Sequence, residues 1–197
     1  MTFKTSGTTQ CFRNGWYYMF KHEKVIWITR TAVLIALTIA LQALTMQFGN
    51  QIITGSIVNL MLIIAVMTCS LSTGLTVAAV TPILPTLLGF GPLWPIVPFI
   101  AVGNMALVTV WHFLGNRELG SVYISYGLAM AAGAVVKFLV LYLGVVQLAI
   151  PYILGLPSGN VLSIMFSYPQ LITAATGGVC AAILLPSLLK AIKQRRA

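Results

Sequence analysis

Acidic residues are almost absent from this chain. Of its 197 residues only Glu23 and Glu118 are acidic, against eleven Lys and Arg. Glycosidase sites, calcium loops and two-metal phosphoryl-transfer sites are all built from clustered carboxyl groups. The sequence therefore excludes these classes of site, and most familiar hydrolytic chemistry with them.

Charge of either sign is scarce as well. Charged residues make up 7% of the chain and apolar residues 59%, whereas ordinary soluble domains have about 25% and roughly 45–50%. This composition excludes a water-soluble globule. A membrane-spanning helix needs about 20 residues, so the length accommodates one integral membrane domain of up to six spans.

Cysteines are few and isolated. Cys11, Cys69 and Cys180 lie far apart, with no Cys-x-x-Cys or Cys/His spacing. We therefore expect neither a disulfide framework nor a metal site, and interpret the three as small packing residues.

Almost all of the basic residues lie at the ends of long apolar runs. A net charge of +9 would suggest nucleic acid as a partner of a soluble protein. Here Lys and Arg precede the first run, separate the fourth from the fifth and follow the sixth, while the three predicted outer loops contain none. This asymmetry is typical of the positive-inside rule. It predicts contact with a lipid bilayer, no nucleic acid partner and both termini in the cytoplasm.

The apolar runs predict an all-α integral membrane fold with six transmembrane helices. Residues 28–193 form the membrane domain and residues 194–197 a basic cytoplasmic tail. Residues 1–27 interleave basic and aromatic side chains, which is typical of a short interfacial helix in the headgroup region. The six predicted spans cover residues 28–48, 56–70, 75–88, 99–114, 121–143 and 169–189.

Prolines and glycines mark the irregular stretches of this pattern. Pro82 and Pro85 predict a kink in the third span. Residues 89–98 contain three prolines and two glycines, which predicts an ordered, non-helical outer loop. Residues 144–168 form a long outer segment with room for a half-helix.

Lys137 is the one charged residue well inside a predicted span. An ammonium group at membrane depth costs about 2.5–3.5 kcal/mol on insertion scales, so the side chain should face a cavity or a partner. No acidic residue lies on the predicted outer side. Two interpretations remain open: Lys137 snorkels to the headgroups, or its counter-ion is the carboxylate of a ligand.

Several polar side chains fall at a similar depth. Singly, each is typical of an interhelical hydrogen bond. Together, with the Trp94 loop above them, they predict a small-molecule pocket with apolar walls. The candidates are Gln42, Thr45, Asn59, Asn104, Tyr142, Tyr168, Gln170 and Thr173.

Small residues recur on one face of the first span. Ala32, Ala36 and Ala40 are four residues apart, which lets another helix backbone approach closely. The sequence leaves two interpretations open, packing inside this chain or a docking face for a partner protein.

The combined pattern resembles the substrate-binding S components of energy-coupling factor (ECF) vitamin transporters. The resemblance rests on the span count, the length, the alanine motif and two stretches similar to ones common in that family, Gly55-Ser-Ile-Val-Asn59-Leu and Pro98-Phe-Ile-Ala-Val-Gly103-Asn104. It covers residues 29–193, and the aromatic N-terminal segment is not included in the general pattern.

The resemblance implies a multi-pass protein of a prokaryotic cell membrane that binds one vitamin from outside. A separate transmembrane T subunit and two cytosolic ATPases would supply the energy, so ATP would bind to the partners and this chain would be no enzyme. The chain has no Gly-rich phosphate loop of its own. The resemblance also implies that Ala32, Ala36 and Ala40 dock the T subunit.

The identity of the solute depends on Lys137. This lysine and the lack of outer acids favour a small anionic vitamin such as pantothenate, leave nicotinate, biotin, lipoate and folate open, and disfavour cationic thiamine. The alternative function is a stand-alone secondary transporter or channel for a small anionic solute, which should carry coupling acids within the membrane. A membrane enzyme would need a nucleophile and base pair that the sequence lacks.

Overall fold

The computed structural model describes residues 7–117, 120–157 and 161–194, with side chains from residue 23 onward. All regular secondary structure in these ranges is helical. A 3₁₀ turn at Trp94–Ile96 precedes the fourth α-helix, and a π-helical segment at Tyr142–Ile153 continues the fifth. The α-helices are α1 (Gly7–Met46), α2 (Gln51–Thr68), α3 (Leu71–Leu87), α4 (Val97–Gly115), α5 (Val122–Leu141), α6 (Val161–Met165) and α7 (Tyr168–Gln194).

Several of these helices match the length and apolarity of membrane spans. The five that are long and apolar enough to cross a membrane are Glu23–Met46, Gln51–Thr68, Trp94–Gly115, Val122–Ile153 and Val161–Gln194. The apolar α3 has 17 residues, which corresponds to about 25 Å against a hydrocarbon core of about 30 Å. The chain is thus an all-helical, multi-pass membrane protein over its described residues, and the count of six spans stays a prediction.

The first helix differs from the expected arrangement. α1 is one continuous helix of 40 residues, so the predicted interfacial segment is not a separate short helix. The physical reason lies in the sequence, because no proline or glycine interrupts the chain between Trp16 and Met46. Residues 1–6 and the side chains of residues 7–22, which carry the predicted aromatic belt, lie outside the described residues.

Capping residues move the start of α2 and α3 ahead of the predicted limits. Asn50 accepts a hydrogen bond from the Ile52 backbone N–H, and Ser70 accepts one from the Thr73 N–H. Such N-caps satisfy amide groups that a helix start leaves unpaired. Residues 49–55, which separate the first two predicted spans, therefore lie largely in the first turn of α2.

The predicted outer segment at residues 144–168 is mostly helical. Its N-terminal half belongs to the π-helical segment. This segment packs closely against α4 at Gly144, since a Cβ on this glycine would lie 2.6 Å from the Phe99 ring. α6 supplies the short helix that the segment had room for. Pro82 and Pro85 both lie within α3, which continues to Leu87.

The core lies between α2, α3, α4, α5 and α7. α4 packs against α3 and α5, α2 packs against α7, and α1 lies outside against α2 and α3. Leu62, Val77, Leu107, Trp111 and Leu185 are fully buried in one cluster. The bundle thus encloses the middle of α2, α4, α5 and α7, the helices on which most of the polar candidates lie.

The crossing of α2 and α7 depends on a glycine. A Cβ on Gly177 would come within 2.8 Å of both Asn59 Cβ and the Ser56 carbonyl oxygen. Because the second of these atoms is backbone, a side chain there would force the two helices apart. This close approach sets the position of Asn59.

We predict that Gly177→Ala destabilises the fold by about 1–3 kcal/mol, since overpacking displaces the α2 backbone. Gly127→Ala is the matched control, because a Cβ there would meet no atom within 4 Å. Thermal unfolding in detergent should show a lower midpoint for Gly177→Ala and an unchanged or raised one for Gly127→Ala. Equal midpoints would contradict the close crossing.

Candidate functional site

A cavity of about 510 Å³ opens at the end of the bundle where α1 ends and α2 begins. Polar side chains reach it from α1, α2, α4, α5 and α7. Most of its wall is apolar and comes from the connection between α3 and α4, from α6, and from single residues of α1, α2 and α4. The apolar wall residues are Met46, Val58, Phe90, Leu93, Ile96, Ile100, Leu162, Met165 and Phe166.

Lys137 lines this cavity, which we call the Lys137 cavity, together with two asparagines. Its Nζ donates to Asn59 Oδ1 at 2.5 Å and to Asn104 Oδ1 at 2.7 Å. The three residues are 4%, 1% and 2% exposed. Lys137 thus lies inside the bundle and does not snorkel to the headgroup region.

The hydrogen-bonding capacity of the Lys137 ammonium group determines how the two asparagines are oriented. An ammonium group only donates hydrogen bonds, so each carboxamide presents its oxygen to Lys137. The Asn59 Nδ2 then donates to Thr173 Oγ1 at 3.4 Å, and that hydroxyl donates to the Gln170 carbonyl oxygen at 3.0 Å. α7 therefore holds Asn59 in the orientation that serves Lys137.

No carboxylate of the described residues balances the charge on Lys137. The only acid among them is Glu23, which lies about 35 Å along α1 from the cavity residue Met46. The two amide oxygens take two of the three N–H donors of the ammonium group. One donor remains for a ligand.

Two further predicted residues also line the cavity. Gln42 presents a buried Oε1 that has no hydrogen-bond partner within the described ranges. Gln170 donates through Nε2 to the Met165 carbonyl oxygen at 3.4 Å. The structure therefore brings Gln42, Asn59, Asn104, Lys137 and Gln170 to one cavity.

Three of the predicted site residues do not line the cavity: Trp94, Tyr142 and Tyr168. Tyr142 and Tyr168 both stack on Phe138, with ring centroids 5.7 and 6.4 Å apart. Tyr142 follows Phe138 by four residues, so it shares the face of Phe138, and Phe138 is turned away from its neighbour Lys137. Trp94 is half exposed, although its neighbour Leu93 does reach the cavity.

The sequence reasoning also missed several lining residues. Asn50, Gln51 and Thr54 line the cavity from the first turn of α2, a stretch that lies between the first two predicted spans. The apolar wall carries no sequence signal, because a Phe or Ile in a membrane protein is as common against lipid as against a ligand. Only the depth pattern of the polar residues could have indicated the site.

The alanine motif lies outside the cavity. All three of its residues, Ala32, Ala36 and Ala40, are exposed. Another face of α1, which carries Thr31 and Thr38, is buried against the bundle. Internal packing therefore does not account for the alanines among the residues that the structure describes.

Comparison of the chain with protein-family models, with characterised proteins and with solved structures finds no match.

The buried ammonium group predicts that two substitutions change the stability of the fold in opposite directions. Asn104→Leu should lower the free energy of unfolding by about 1–3 kcal/mol, because a buried charge loses one of its two acceptors. Adding Lys137→Met should restore most of this loss, since the charge that needed the acceptor is gone. Thermal unfolding in detergent without added ligand measures both. A double variant no more stable than Asn104→Leu would mean that Lys137 is not charged where it lies.

Proposed function

We propose that this chain is the substrate-binding membrane subunit of an ATP-driven importer for a small carboxylate vitamin, such as pantothenate, in a prokaryotic cell membrane. The observation that carries the proposal is the Lys137 ammonium group, buried on amide acceptors at a cavity with mostly apolar walls.

Electrostatics favour an anionic solute. Removing an ammonium group from water costs several kcal/mol, and neutral amide oxygens offset only a fraction of this cost. A carboxylate that reached Lys137 would add a charge-assisted hydrogen bond in surroundings of low dielectric constant. With no acid of the described chain nearby, the ligand is the group that best completes the pair.

The size and lining of the cavity favour a small amphipathic solute. A volume of about 510 Å³ lies within the usual range for small-molecule sites, roughly 300–1,000 Å³. Gln42, Gln51 and Gln170 offer amide groups for hydroxyl and amide functions, both of which pantothenate carries. Nicotinate, biotin, lipoate and folate share the carboxylate, so a binding experiment has to compare all five acids.

An ECF transporter needs a surface on the S component for the T subunit, and the exposed face of α1 is suited to this role. The buried side of α1 holds Thr31 and Thr38 against the bundle, which leaves Ala32, Ala36 and Ala40 exposed for another helix. Exposed small residues allow close helix–helix packing in a bilayer. The proposal therefore includes a T subunit on this face, two cytosolic ATPases as partners, and six spans with both termini in the cytoplasm.

Binding should depend on the charge of Lys137. Lys137→Met should weaken the binding of pantothenate by at least about 30-fold, since loss of one member of a buried charge pair costs about 2–5 kcal/mol. Lys190→Met, which removes an exposed lysine near the end of α7, is the matched control and should bind as the wild type does. Titration calorimetry with pantothenate and each of the other four acids measures the effect.

Mass spectrometry of the molecule that co-purifies with the wild-type protein identifies the solute independently. Unchanged binding of that molecule by a stable Lys137→Met protein would overturn the anionic assignment. Uptake into vesicles that contain this chain alone would instead show a stand-alone transporter or channel.

Coupling should depend on the small side chains of α1. Ala36→Trp should abolish co-purification with the T subunit and the two ATPases, because an indole ring prevents close approach of the helices. Solute binding should be unchanged, since Ala36 is exposed and lies outside the Lys137 cavity. Ala131→Trp, at an exposed alanine of α5, is the control and should leave assembly intact. Normal assembly of Ala36→Trp would contradict the docking face.

A further inference from the structure

A second cavity lies beside the middle of α1, at the opposite end of the bundle from the Lys137 cavity. It measures about 500 Å³ and is bounded by α1, by the C-terminal end of α2 and by the last turns of α7. Arg30, Thr29 and Thr68 line its polar side, and Val33, Leu34 and Ile192 line its apolar side. We call this cavity the Arg30 groove.

The guanidinium group of Arg30 has no partner among the described residues. It makes no hydrogen bond or ion pair with the residues that the structure describes. The hydroxyl groups beside it already donate within their own helices, Thr29 to the Val25 carbonyl oxygen and Thr68 to the Ile64 carbonyl oxygen. The groove therefore offers the five N–H donors of an arginine, and none of its described lining residues carries a carboxylate.

The surroundings of the groove are positively charged. Lys190 and Lys193 are exposed on α7 on either side of Ile192, and Lys24 is exposed on α1. Glu23 is the only acidic side chain described near this end, and it forms no ion pair with Arg30. The charge of the groove is thus complementary to an anion.

The apolar side of the groove lies about one helical turn from its charge. Val33 and Leu34 follow Arg30 by three and four residues, so they lie next to it along the same side of α1, about 5 Å farther into the apolar span. Val33 is 60% exposed. A free inorganic anion would use the guanidinium group but would leave these apolar side chains uncovered.

We propose that the Arg30 groove binds one anionic phospholipid, with its phosphate on the guanidinium group and the start of an acyl chain against Val33 and Leu34. A guanidinium group matches phosphate oxygens in a bidentate geometry. Basic pockets between helices at the membrane surface are suited to anionic headgroups. The site is separate from the Lys137 cavity and does not depend on the solute proposed for it.

Native mass spectrometry of the full chain in detergent tests the proposal, with phosphatidylglycerol and phosphatidylcholine added in turn. Arg30→Gln removes the charge, and Val33→Trp fills the apolar side while keeping the charge. Arg117→Gln, an exposed arginine after α4 that does not line the groove, is the matched control. Arg30 and Val33 are exposed, so all three variants should unfold at the wild-type temperature.

We expect the wild-type chain to retain one phosphatidylglycerol in preference to phosphatidylcholine. Arg30→Gln and Val33→Trp should each weaken that retention about fivefold or more, the effect of losing roughly 1 kcal/mol of attraction. Arg117→Gln should retain the lipid as the wild type does.

Three results would overturn the proposal. An equal loss in Arg117→Gln would show unspecific attraction to a basic surface. Normal retention by Arg30→Gln would show that the guanidinium group does not hold the lipid. A loss in Arg30→Gln with none in Val33→Trp would show an anion contact without an acyl chain in the groove.

Cys69 provides a second measurement, because it also lines the groove. Added phosphatidylglycerol should slow the labelling of Cys69 by a maleimide and leave Cys180, which lies outside the groove, unchanged. Cys11→Ser removes the remaining thiol from the comparison. Equal slowing at Cys69 and Cys180 would count against a lipid in the groove.

Discussion

The burial of one ammonium group in an apolar bundle is the constraint on which the site depends. Lys137 lies deep between helices and has two amide oxygens as its partners. Those oxygens come from α2 and α4, so the three helices must meet at the same depth for the charge to be tolerated at all. The hydrogen bond from Asn59 to Thr173 then ties α7 to the same point. The polar cluster thus specifies how four helices align, in a core that is mostly apolar and would tolerate other registers.

Close helix approach makes this alignment possible. Gly177 brings α7 against the backbone of α2 beside Asn59, and Gly103 lies next to Asn104 where α4 meets Leu141 of α5. In both places a missing side chain permits the short helix separation that carboxamide side chains need to reach a lysine. The first helix is different, since it contributes Gln42 to the cavity but lies outside the core. Its exposed small residues are available to a partner because the bundle does not use them.

Much of the helical membrane fold and several residues of the cavity could be predicted from the sequence, because the patterns that indicate them are local. Apolar runs bounded by basic residues indicate helices in a bilayer whatever their packing, and five helices of spanning length are present. A charge inside such a run indicates a cavity or a partner, and Lys137 does line a cavity. The depth pattern predicted Asn59, Asn104, Gln42 and Gln170 as one group, and all four line the same cavity. The ends of the helices were less predictable, since caps at Asn50 and Ser70 turned residues typical of loops into first turns.

Only the tertiary structure decided which side of each helix faces the cavity. Depth is a one-dimensional quantity, and the rotation of a helix about its axis is set by packing against its neighbours. Tyr142 and Tyr168 lie at a plausible depth, yet both stack on Phe138, which points away from Lys137. The exposure of Ala32, Ala36 and Ala40 was undecided for the same reason. The sequence by itself determined a helical membrane protein with a lone amine inside an apolar span. The rotation of the helices determined which side chains that amine contacts.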